Sequence, residues 1–313
     1  MAGKARKRLF AGPCCAKLAA AMRLHVVDGT YELFRAHFSR RPPHVRGGRD
    51  LKATVGLAAS MLSLLHEAEE AVTHLAVAFD NPIRSVRNDW YEGYKTDEGV
   101  PAGLLAQFDP AEEAVRALGV VVWSMDRYEA DDALATAAAR WRDQVDQVRV
   151  MTPDKDLGQT IVGQKVVVVD RLRQRVIDED ELLRRRGIRP ASIPDWLALV
   201  GDSADGFPGL PGFGEKSAAA LLHAFDHLEG IPKDARKWPA EIRQAPRLAE
   251  TLAREMPQAL LYRKLATLID DVPLAEGLDD LAWPGVPRDA FLAWCDAVDS
   301  KDLRERPTKW RGA

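Results

Sequence analysis

Three carboxylates within four positions, Glu129, Asp131 and Asp132, stand at the start of a helix that runs through an Ala-rich segment to Trp141. A helix dipole favours acids in a first turn by only about 0.3–1 kcal/mol each. Their mutual repulsion is the larger effect. Two like charges ~4 Å apart cost about 1 kcal/mol in bulk water, and several times that where the effective dielectric falls to ~20. Glu129 and Asp132 lie three apart on one helical face, with Asp131 one step round from Asp132. A bound cation would offset that repulsion. A solvated, acid-capped helix is the alternative for the triplet alone, so the placement of the other acids decides.

Those acids sit at the ends of strand-like runs. Residues 24–28 form an apolar run ending on Asp28, followed by a helix carrying Leu33, Phe34 and Arg35 and a basic, Pro- and Gly-containing loop over 40–49. Residues 53–70 carry apolar side chains at helical spacing (Leu57, Met61, Leu64, Leu65), and 74–80 repeat the strand pattern, ending on Asp80. Little periodicity marks 81–108, where Arg84, Arg87 and Lys95 alternate with Trp90, Tyr91 and Tyr94. Asp109-Pro110 predicts a cap and first-turn proline for a helix to Leu118. A strand over 120–123 leads into the acidic triplet, and another over 149–152 runs into Asp154-Lys155-Asp156. Residues 165–170 read as a strand with 175–177 as its partner, and Asp178 caps a short helix ending near Gly187.

Strand and helix signals alternating at this spacing predict an α/β fold, a mainly parallel sheet with helices on both faces. Ligands of such sheets bind beyond the carboxyl ends of the strands. Asp28, Asp80, Asp154, Asp156 and the triplet would all meet at that edge, which points to a metal site.

After Pro190 the texture turns helical, with one helix over 193–200 and another reaching Phe225. Between them, Gly209, Gly212 and Gly214 permit a tight turn whose amides could approach a phosphate at a helix N-terminus, with Lys216 beside them. It is not a P-loop, because Glu215 separates Gly214 from Lys216-Ser217. Nor is it a dinucleotide fingerprint, since Ser217 stands where the third glycine belongs. The remainder to Val298 reads as amphipathic helices with proline breaks, without internal repeats.

With 46% apolar and 29% charged residues among 313, the chain reads as one large or two ordinary soluble domains. Cys14, Cys15 and Cys295 give neither a disulfide framework nor metal-ligand spacing, and a reducing cytoplasm is expected. No apolar run approaches the ~18 residues of a membrane span. Residues 1–21 are expected to be a disordered extension, with Met22 as an alternative start. Their four early basic residues imitate a secretory signal, but Pro13 and Lys17 interrupt the apolar part.

Six stretches in order carry a family resemblance: Val26-Val27-Asp28-Gly29, Ala78-Phe79-Asp80, Tyr94-Lys95, Tyr128 to Asp132, Asp154-Lys155-Asp156-Leu157, and Gly201-Asp202 through Ser217-Ala218. Together they resemble the 5′-to-3′ exonuclease and flap endonuclease family, as in the N-terminal nuclease domain of bacterial DNA polymerase I and its stand-alone relatives. The resemblance implies a PIN/resolvase-like nuclease core over 22–189 with an arch loop at 81–108. It also implies a helical DNA-binding region over 190–313, containing a helix-three-turn-helix subdomain at about 190–225.

The same resemblance implies that Asp28, Asp80, Glu129, Asp131 and Asp132 surround one Mg²⁺ and that Asp154, Asp156, Asp202 and Asp205 surround a second, with Asp131 between them and Mn²⁺ as a substitute. Two such ions support in-line hydrolysis of a phosphodiester. Were nine acids so engaged, 38 would remain against 44 Lys and Arg, an excess of base that can face phosphates. Lys95 and Arg87 are the expected steering cations for the scissile phosphate. Arg35, Arg84, Gly209, Gly212, Gly214, Lys216 and Ser217 are the expected DNA contacts, with K⁺ at the turn.

Implied partners are DNA with 5′ ends, flaps or nicks, RNA–DNA primers and a separate DNA polymerase, acted on by a monomer. Where relatives carry a basic residue after the Tyr-Lys pair, this chain reads Thr96-Asp97-Glu98. Two other readings compete. Asp28-Gly29-Thr30 resembles the end of a haloacid-dehalogenase phosphatase motif, but Val26 stands in the nucleophile's place. A catalytically silent DNA-structure binder of the same fold is the second.

Overall fold

The computed structural model describes residues 21–312; the expectation for the N-terminal extension falls outside them but for its last residue. The central sheet is built from β1 (Arg23–Asp28), β4 (His74–Asp80), β5 (Val121–Met125), β6 (Gln147–Met151), β7 (Val166–Asp170) and β8 (Arg175–Ile177). Their order is β5-β4-β1-β6-β7-β8, parallel throughout except for the antiparallel edge strand β8.

Unbroken apolar runs such as Val166-Val167-Val168-Val169 arise because both faces are covered. Val27, Val77, Phe79, Val167 and Val169 join α1 (Gly29–His37), α2 (Lys52–His66) and α5 (Phe108–Ala117) in one core. Val26, Ala76, Ala78, Val150 and Val168 join α6 (Ala130–Trp141) and the helices α8 (Ile193–Val200), α9 (Glu215–Phe225) and α10 (Ala245–Ala266) in the other. Registering Asp28 against Ala78, and Val27 against Met151, brings the carboxyl ends of β1, β4 and β6 to one edge.

The caps behave largely as their residue types require. Asp178 accepts the Glu181 N–H (2.9 Å) at the start of α7 (Glu179–Arg186), and Gly187 ends that helix in the left-handed region at φ 71.

Three expectations shift. Residues 40–49 are not all loop: β2 (Val45–Arg46) and β3 (Arg49–Asp50) pair as a hairpin, because Gly47 and Gly48 supply the positive φ that a two-residue turn demands. α2 stops at His66, short of residue 70, and the Glu70 carboxylate is taken by Arg149 (2.6 and 2.9 Å) and His25 (2.9 Å). Asp109 does not cap α5; Gln107 holds the N-cap position, while Asp109 accepts from Asn81 Nδ2 (2.8 Å) inside the first turn. The Gln107 side chain instead receives the Ala53 and Thr54 amides at the start of α2.

The chain's last helices, α11 (Arg288–Val298) and α12 (Lys301–Arg304), return to the α2–α5 side of the sheet.

Candidate metal centre and nucleic-acid interface

Close approach at the start of α1 places the first two acids. A Cβ on Gly29 would lie 2.6 Å from the Phe79 ring, so only glycine lets α1 begin against β4. Asp28, ending β1, accepts from the Tyr31 N–H (2.8 Å) and from Thr152 Oγ1 (3.0 Å). Asp80, ending β4, donates its N–H to Thr30 Oγ1 (2.8 Å) and accepts the Ala130 N–H (2.7 Å) at the start of α6.

Burial pushes the Asp28 carboxyl up to about 7, and the charges of Asp80 and Asp154 push the same way. Asp80 is raised as well, chiefly by burial. Asp131 is driven far above the carboxylate range by burial and by Asp28, Asp154 and Asp80. These groups are acids gathered in low dielectric without enough positive charge among them.

Glu129 and Asp132 live differently. Glu129 accepts from Ser85 Oγ (2.7 Å), Arg87 (3.3 Å) and Tyr94 OH (3.3 Å), and pairs with Lys95 Nζ at 2.8 Å. Burial raises its pKa, but Lys95 and Arg87 outweigh that and bring it down to about 2. Asp132 is 0% exposed and accepts a bidentate pair from Arg87 (2.7 and 2.8 Å) together with the Glu129 and Ile269 amides (3.0 and 2.9 Å).

Arg87, itself 1% exposed, also donates to the Leu265 and Thr267 carbonyls. Against the expected roles, the structure sets the Arg87 guanidinium in this buried fork, and both Asp132 oxygens accept from the protein. Their pair joins the base of the arch, α6 and the end of α10.

A second group faces the first. Oxygens of Asp156, Asp202 and Asp205 lie within 4.8 Å of one another. Asp156 Oδ1 is buried without a hydrogen-bond partner among the described residues, and the Lys155 ammonium stays 3.5 Å away. Burial and the Asp154 charge raise the Asp156 carboxyl far above its ordinary range. Asp154 is exposed and receives the Asp156 N–H (2.9 Å), and Lys155 reaches Asp202.

Lys95 bridges the two groups, with Nζ 2.8 Å from Glu129 and 3.0 Å from Asp205. Its own N–H donates to the Asp205 carbonyl (3.1 Å), and a Cβ on Gly206 would lie 2.1 Å from the Gly93 carbonyl oxygen. The arch is thus pinned to the Asp202–Asp205 loop. An all-carboxylate donor set, an unpartnered buried oxygen and upward-shifted acids fit hard divalent cations of the Mg²⁺ and Mn²⁺ kind.

The sequence matches "5′-3′ exonuclease, N-terminal resolvase-like domain" over residues 23–187 and "5′-3′ exonuclease, C-terminal SAM fold" over 188–289. The chain belongs to the 5′-3′ exonuclease family. Among its relatives, the 5′-3′ exonuclease of Aquifex aeolicus is 30% identical over 254 residues, covering 81% of this chain and 84% of that protein. DNA polymerase I of Mycobacterium leprae is 31% identical over 289 residues, or 90% of this chain but only 31% of the polymerase. The chain therefore spans about a third of the length of the polymerases it matches. The T5 D15 protein co-crystallized with metal ions shares the fold at TM-score 0.62 and 16% identity, covering 90% of this chain and 100% of that one. So does the catalytic core of Rad2 in complex with DNA substrate, at TM-score 0.55 and 15% identity over 88% and 87%.

Within this family frame the remaining candidates separate. Lys216 is exposed at the start of α9, and Gly212 and Gly214 are exposed beside it. Ser217 Oγ is engaged with the Gly214 backbone at 3.1 and 3.0 Å, closing the helix start. Gly209, by contrast, is buried, and a Cβ there would lie 2.3 Å from the Gly201 N atom, so backbone packing against Gly201 already requires glycine. Arg84 is exposed on the arch. Arg35 is held by Glu32 and Ser60, beside a groove of about 1120 Å³ between α1, α2 and the β7–β8 hairpin. Sequence reasoning missed Thr152, Ser85 and Lys155. Lys155 was findable, since it stands between two candidate acids.

Proposed function

We propose that the chain is a two-metal-ion 5′-3′ exodeoxyribonuclease and flap endonuclease that hydrolyses DNA phosphodiester bonds. The observation that carries this reading is the facing pair of carboxylate groups bridged by Lys95. Asp28, Asp80 and Asp131 would hold one Mg²⁺, and Asp154, Asp156, Asp202 and Asp205 the other. When bound, the two ions supply an activated water and stabilise the charge of the leaving oxygen.

The chain's own residues do the rest. Glu129 and Asp205 hold the Lys95 ammonium, charged and aimed, where a scissile phosphate would need it. Thr152 orients Asp28, and the Ala130 amide orients Asp80. Arg87 keeps the start of α6 fixed from behind. Exposed Lys216, at the glycine turn, suits the backbone of a bound duplex, with K⁺ as the cation of that turn.

Substrates would be DNA with 5′ ends, flaps or nicks, and RNA–DNA primers, processed by a cytoplasmic monomer alongside a separate DNA polymerase. No helix among the described residues is long and apolar enough to cross a membrane. The test compares 5′-labelled flap, nicked duplex and RNA–DNA hybrid with and without Mg²⁺. Metal-dependent cleavage at 5′ ends or flap junctions is expected; its absence on all three substrates overturns the proposal.

A further inference from the structure

Beside Asp154 a cavity of about 270 Å³ opens between the β7–β8 hairpin and α7. Its floor is apolar, with Ile161, Val168 and Leu182 almost fully buried. Its rim is cationic: Lys155, Arg173, Arg175, Arg185 and Arg186, against the carboxylates of Asp154 and Asp170. Pairing removes two of those cations, because Lys155 is bound to Asp202 and Arg173 to Asp170 at 2.8 Å.

Three arginines remain. Arg175 forms no ion pair among the described residues, and Arg185 lies 3.7 Å from Glu181 on an exposed helix face. Arg186 stacks over Trp196 at 4.9 Å, and burial lowers its pKa because no carboxylate answers it at ion-pair distance. At about 270 Å³ the cavity lies just under the small end of small-molecule sites, roughly 300 Å³, so it has room for no more than one nucleotide and none for a length of strand.

We propose that this cavity is a nucleotide subsite, in which the phosphate of one 5′-nucleotide sits among Arg175, Arg185 and Arg186 and its base lies on the apolar floor. Guanidinium forks match phosphate oxygens, and an apolar floor under a cationic rim matches a ligand with both characters. Its place beside Asp154 rests on the nuclease reading, and makes the occupant either the terminal nucleotide of a strand or the mononucleotide that exonucleolytic cleavage releases.

The test uses the full chain and the double variant Arg175→Glu/Arg185→Glu, with dAMP as the probe in metal-free buffer. Saturable dAMP binding to the unmodified protein is expected by titration calorimetry, weakened at least about tenfold by the charge reversal. Arg175→Gln/Arg185→Gln, which only removes charge, should give a smaller loss in the same direction, with melting curves establishing that both variants fold.

Two further measurements separate the sources. A rise in KM confined to 5′-phosphorylated oligonucleotides assigns the site to the strand end, and relief of dAMP product inhibition assigns it to the released nucleotide. Equal dAMP affinity in all three proteins, or no saturable dAMP binding, overturns the inference. Arginine-dependent dAMP binding by a protein that cleaves nothing would overturn only the nuclease reading, and cleavage without dAMP binding only this one.

Discussion

At the start of α6, Glu129 and Asp132 meet arginine, lysine and backbone N–H groups already in place, whereas around Asp156, with lysines on Asp202 and Asp205 alone at hydrogen-bond distance, three carboxylates converge within 4.8 Å and one Asp156 oxygen has no described hydrogen-bond donor. Both regions are acidic, and both came from the same kind of sequence signal. The contrast teaches that a carboxylate's neighbours, not its presence, decide whether it has charge left for a metal. Glu129 is held down at about 2 by Lys95 and Arg87, while Asp131, two residues on, is pushed up by burial and its neighbours.

The sharpest way to break that contrast is to neutralise one acid on each side of it. Asp131→Asn should cost about 10⁴ in single-turnover cleavage with Mg²⁺, roughly 5.5 kcal/mol of transition-state stabilisation. Its metal-free melting temperature should hold or rise, because like-charge repulsion is relieved. Arg87→Met should do the reverse. Stranding Asp132 and Glu129 in the interior should cost about 3–5 kcal/mol of stability, read as a lower denaturant midpoint, with activity falling only as the folded fraction falls. A stable but inactive Arg87→Met protein would return Arg87 to the substrate.

The contrast also fixes how stability should vary with pH. Asp28 is raised to about 7 from an unfolded value near 3.8, so the stability it lends is present in full below the lower value and is lost as pH rises through the upper one. Asp80, Asp131 and Asp156 shift in the same direction. Metal-free protein should therefore melt higher at pH 5 than at pH 8. Mg²⁺ at about a hundred times its dissociation constant should add ~2.7 kcal/mol per site at the higher pH and narrow that gap. A metal-free melting temperature that does not change between the two values would sink the unbalanced-charge account.

Smallest is the effect at the bridge. Lys95→Ala should slow single-turnover cleavage by about tenfold, ~1.4 kcal/mol, with little change in affinity, since under the proposed function its ammonium would act on charge that grows in the transition state. Glu98, exposed on the arch, would repel an incoming strand, so Glu98→Arg should cleave as fast or faster. A slower Glu98→Arg enzyme would show that the arch handles its strand in another way.

What the sequence made legible was whatever short-range pattern controls. Strand runs that end on an acid put Asp28 and Asp80 at the carboxyl ends of β1 and β4, and the acidic triplet put Asp131 in the first turn of α6. Asp202 and Asp205 could be placed only through the family resemblance, since nothing local says that the Gly-rich loop folds back beside Lys155 and Asp156. The pairing of Arg87 with Asp132 was not legible because 45 residues separate them, and the carbonyls that complete the Arg87 site lie 178 and 180 residues away. A lone charge in a sequence does not disclose its partner. Gly209 is ambiguous for a related reason: glycine serves backbone packing against Gly201 as readily as an approaching phosphate.

The pinned base of the arch has a practical side. Arg87 and Lys95 anchor one end, and buried Leu104 with Gln107, which caps α2, anchors the other. Between them residues 96–99 are exposed, and Gly99 turns at φ 84 into open space. Lengthening a flexible loop costs only about 0.6 kcal/mol per doubling, so a peptide tag or dye-bearing insert at Gly99 should leave the carboxylates where they are. That tip is the place to attach a reporter that watches a nucleic-acid strand arrive without touching the groups that would cut it.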